Sequence, residues 1–81
     1  MSGLNWHYDR EGRMHKAQAG PLRAIVDGPV RDPAGHLLGY DVCVLVEHGP
    51  GLMDFSTHWL GVRQSVRGAK ALAERYVEAR S

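Results

Sequence analysis

Apolar and polar residues alternate at period two along most of the first sixty positions of this chain, and near residue 65 the period lengthens to that of a helix. This order predicts an α+β fold: an antiparallel meander of three to five strands, then one C-terminal helix packed on a face. LNWHY places Leu4, Trp6 and Tyr8 on one side of a first strand, DREG (9–12) reads as a hairpin turn, and RMHKAQA as the return strand. Gly20-Pro21 breaks the chain. PLRAIVDG follows, with Leu22, Ala24 and Val26 alternating against Arg23, Ile25 and Asp27. DPAG (32–35) suits a type I turn, because Asp bonds back to the backbone and Pro presets φ.

GYDVCVLVEHG is the strongest strand signal. Tyr40, Val42, Val44 and Val46 form a wholly apolar face, and Asp41, Cys43, Leu45 and Glu47 a mixed one. That pattern belongs to a central strand covered on one side. Gly49-Pro50-Gly51 turns the chain into LMDFSTHWLG, with Met53, Phe55, Thr57 and Trp59 on one face. Ser65 is a helix cap, and Val66, Ala69, Leu72, Ala73 and Tyr76 recur at helical spacing. The alanines let this helix lie close on the Tyr40/Val42/Val44/Val46 side. The opposite face of the sheet is expected to stay partly open, with Trp or Met from the first strands on it. The expected layout is a single small domain over 1–81, strand-rich from 4 to 60 and helical from 65 to 80.

Composition changes this picture little. An apolar share of 43% with 23% charged residues is ordinary for a globular domain. The apolar runs are short and interrupted by Asp41 and Glu47, so no membrane partner is expected. Cys43 has no second cysteine to pair with, and MSGLNWHYDRE lacks the basic start and apolar stretch of a leader. The expected location is the cytoplasm of a bacterial host. Net charge is +1, but residues 61–81 carry +3 and the remainder −2.

The chemistry-bearing residues form no catalytic constellation. His7, His15, His36, His48 and His58 show no ligand spacing, so no metal is expected. Cys43 reads as a mid-strand apolar residue, with Asp41 and Glu47 raising its pKa and disfavouring the thiolate. None of the ten glycines belongs to GxGxxG or a phosphate loop, and no cofactor is expected. The positive signals are two. Arg63, Arg67 and Lys70 gather at the helix start with no acid in its first turn, where a cation opposes the helix dipole. They read either as an anion site for phosphate or acidic side chains, or as a solvated face that keeps the domain soluble. Trp6 and Tyr8, near the terminus, are candidates for an aromatic binding surface, or else for the core.

WLGVRQSVRGAKALAERY, through Trp59-Leu60-Gly61, the Ser65 cap and Ala69 and Ala73, resembles the strand-turn-helix of AP2-type and phage-integrase amino-terminal DNA-binding domains. That likeness implies a sheet with one packed helix and a sheet surface that reads DNA. The AKALAE segment is similar to the last helix of double-stranded-RNA-binding domains, which offers its basic start to phosphates; Arg67 and Lys70 match that feature in part. In kind, a short single-domain chain lacking catalytic groups resembles phage and prophage accessory proteins, anti-CRISPR proteins among them. This likeness implies stoichiometric inhibition of a host protein or nucleoprotein complex. The function expected is therefore non-enzymatic binding of that type. The alternative is a small nucleic-acid-binding domain using Arg63, Arg67 and Lys70. A homodimer is also expected to be accessible, since a small sheet leaves an edge and a face unpaired.

Overall fold

The structure is a computed structural model, and it describes residues 4–51 and 54–80. Five strands, β1 (His7–Asp9), β2 (Met14–Ala19), β3 (Leu22–Arg31), β4 (Leu37–Glu47) and β5 (Phe55–Arg63), precede one helix, α1 (Val66–Arg80). The strands form one antiparallel sheet in chain order, β1-β2-β3-β4-β5. Each expected turn lies where its residues place it. Asp9 Oδ1 accepts the N–H groups of Glu11 and Gly12, and the Gly35 N–H donates to the Asp32 carbonyl at 2.9 Å.

Helix α1 lies across one face of the sheet. Val26, Val42 and Val44 are its largest fully buried partners, with Ala17, Leu22 and Ala24 beside them. From the helix, Ala69, Ala73 and Val77 are buried against them. The helical stripe thus runs one residue further than the spacing predicts, to Val77. Small side chains at this contact let the two layers approach closely, while Trp6, Tyr40, Leu60, Leu72 and Tyr76 pack around the rim. Ser65 caps the helix: its Oγ accepts the Gly68 N–H at 3.0 Å.

Among the local departures from the alternation pattern are these three. The first strand is only His7–Asp9, and Leu4 and Trp6 precede it. The Leu4 N–H and the Trp6 indole N–H both donate to Glu74 Oε2, at 3.2 and 3.0 Å, which ties the start of the chain to the helix. Second, β5 begins at Phe55, because the Asp54 backbone is engaged in the preceding loop with Gly51 and His48. Met53, expected on the same face as Phe55, lies outside the described residues. Third, the β4–β5 register slips between Val42 and Cys43, which pair with Gly61 and Trp59 respectively. This bulge at Leu60-Gly61 uses a φ of 137° at Gly61, a conformation glycine tolerates and other residues rarely adopt. No helix is long and apolar enough to cross a membrane among the described residues.

Candidate functional site

Among the described residues one helix covers one of the two faces of the sheet, and the side away from α1 is uncovered. Strand register shows what stands there, because side chains paired across an antiparallel ladder share a face. Ile25, Cys43 and Trp59 form one cross-strand row, Arg23, Leu45 and Thr57 the next, and Glu47 with Phe55 a third. On the other side of the first row stand Asp27, Asp41 and Val62. The apolar members occupy adjoining rows and form one patch. Trp59 is 66% exposed and Phe55 43%. The Trp59 indole N–H donates to Asp41 Oδ1 at 3.4 Å, which holds the ring over the sheet.

Charge borders this patch unevenly. Lys16 pairs with Asp9 at 3.0 Å and Arg23 with Glu47 at 3.5 Å, so these four groups are matched. Asp27 and Asp41 stand directly opposite each other with no ion pair to either among the described residues. Like charges in that position oppose folding. At one end of the face a cavity of about 360 Å³ opens between Arg23, Leu45, Glu47, Phe55 and the 49–51 turn.

Cys43 sits in the middle of the patch. Burial pushes its thiol pKa up, and the carboxylates of Asp27 and Asp41 push it further. The acid opposite on β3 therefore acts where the sequence pattern suggested Glu47; Glu47 is turned toward Arg23 instead. A thiol in this setting stays protonated at neutral pH, which is the opposite of what a nucleophile needs. Among the described residues no group of three or more His, Cys, Asp or Glu side chains could hold a metal ion.

The residues singled out from the sequence stand elsewhere on the fold. Arg63 ends the edge strand β5 and donates to the Val62 carbonyl at 3.0 Å. Lys70 extends toward the residues before β1, its Nζ 5.5 Å from the centroid of the Trp6 ring. Arg67 is exposed on the first turn of α1, and in that same turn a Cβ on Gly68 would lie 3.7 Å from Arg63 Cβ.

Trp6 and Tyr8 are on the helix side of the sheet rather than the uncovered one. Trp6 is half-buried between Glu74 and Lys70. Tyr8 pairs with His15, which pairs with the buried Val26, and the two rings meet tilted at 59° with centroids 4.8 Å apart. Tyr8 remains 52% exposed at the margin of that side. Met14 does stand on the uncovered face, opposite Asp27. The exposed aromatics of that face are Trp59 and Phe55, which strand alternation had already placed together. No family model, curated protein or solved structure matches the chain.

Proposed function

We propose that this chain is a non-enzymatic binding protein that captures a protein partner on the uncovered face of its sheet. The observation that carries this reading is the apolar patch of Ile25, Cys43, Leu45, Phe55 and Trp59, with an indole two-thirds exposed on its edge strand. Exposed aromatic groups surrounded by smaller apolar ones are the usual anchors of protein interfaces. The unmatched Asp27 and Asp41 favour a partner that brings Lys or Arg beside an apolar group, and they disfavour a phosphate backbone. Stoichiometric inhibition, in the manner of phage accessory proteins such as anti-CRISPRs, is the mode of action that suits a chain working by occlusion.

The test compares immobilised wild-type chain with Trp59→Ala, Phe55→Ala and Arg67→Ala in capture from bacterial lysate. Proteins retained by wild type and by Arg67→Ala, and lost from both aromatic variants, support the reading. Identical recoveries on all four refute it. Duplex binding whose logarithmic affinity falls with log salt at a slope near −3 would instead assign the function to Arg63, Arg67 and Lys70, at about 0.9 per phosphate contact.

A further inference from the structure

The two edges of the sheet are finished differently. β1 is three residues long and ends at Asp9, which is paired with Lys16. β5 is nine residues long, and from Phe55 to Val62 it carries no Lys, Arg, Asp or Glu. Charged side chains, prolines and shortness are the devices that keep an edge strand from pairing with another chain. β5 has only the bulge at Gly61. Its inner side is satisfied by β4. On its outer side the one backbone group with a described partner is the Val62 carbonyl, which accepts from Arg63. Charge stands only at the two ends, with Asp54 immediately before the strand and Arg63 closing it.

We propose that β5 pairs antiparallel with β5 of a second copy of this chain. A twofold axis perpendicular to the sheet, near His58 and Trp59, brings Asp54 of each copy beside Arg63 of the other. Parallel pairing would place like charges together. The same axis keeps both helices on one side of a continuous ten-stranded sheet and joins the two uncovered faces across their Trp59 rows. The interface is isologous and closes at the dimer, since β1 offers no comparable edge. This pairing is independent of the capture reading, and it is measured with no partner present.

Sedimentation velocity of the full chain over a concentration series tests it. Wild type should sediment as a reversible dimer. Asp54→Arg and Arg63→Glu should each raise the dissociation constant by at least about tenfold, since each reversal acts at two symmetric contacts. The double reversal should bring it back to within about threefold of wild type. Thr57→Lys, which places two cations near the axis, should give a monomer with an unchanged circular dichroism spectrum. A wild-type monomer at every concentration overturns the proposal. So does a dimer that neither single reversal weakens, or a double variant no tighter than the singles.

Discussion

Individual residues fix the fold through contacts of a few ångströms, and three of them make sharp expectations. Gly39 sits in β4 at a φ of 134°, and a Cβ there would run into the Arg63 carbonyl oxygen and lie 2.7 Å from Val62 Cγ1. Gly39→Ala is expected to cost more than about 2 kcal/mol in urea denaturation, from backbone strain and the clash with β5 together. His15 is held below the usual imidazole pKa, first by burial and then by Lys70. The folded chain therefore binds a proton at His15 less readily than the unfolded chain does. Stability is full above the unfolded value near 6.5 and declines as pH falls through the folded one. An NMR titration should place the His15 midpoint below that of a free imidazole, and Lys70→Met should move it upward. At Cys43 the shift has the opposite sign. Alkylation should lag behind that of free cysteine at pH 7 and accelerate only above the ordinary thiol range; equal rates at pH 7 would contradict the burial described.

At the scale of elements, the attachment of the chain start to α1 depends on Glu74, whose Oε2 accepts from both Leu4 and Trp6. Replacing it leaves two half-buried donors without their acceptor, and Glu74→Ala should destabilise by about 1–3 kcal/mol. The Trp6 emission should shift to the red, read in a Trp59→Phe background; emission and stability unchanged from that background would show that the attachment is unimportant. This contact also shows where sequence stops being informative. The alternation in β3 and β4 was legible because each strand has one face against the same layer of Ala69, Ala73 and Val77. Leu4 and Trp6 alternate as well, yet they answer to a carboxylate 70 and 68 positions away. No local pattern encodes that. The bulge at Gly61 was likewise hidden, because parity counted from Phe55 holds only to Trp59. The cationic trio is close in sequence, and two of its members have partners no local pattern shows: Arg63 donates to the Val62 carbonyl and Lys70 lies over the Trp6 ring. Phe55 and Trp59 were placed on a common face by simple alternation, but their exposure depended on which face α1 would choose.

For the whole molecule the governing fact is that one helix covers one side of a five-stranded sheet. The core beneath it is built of Ala, Val and Leu, and the aromatic rings are left to the rim and the far side. Trp59→Ala should accordingly change stability by no more than about 0.5 kcal/mol, as for an exposed position outside the core. Ala73→Leu, which forces a larger group between the layers, should cost about 1–3 kcal/mol. On the proposed reading the same division separates folding from binding: substitutions under α1 should act on stability, and those around Trp59 on capture. Hydroxyl-radical footprinting of the chain with its captured partner, against the free chain at equal concentration, examines that division directly. Protection of Trp59 and Phe55 with unchanged oxidation of Tyr8 is the result this account requires. Trp59 oxidised as fast in the complex as in the free chain would contradict it.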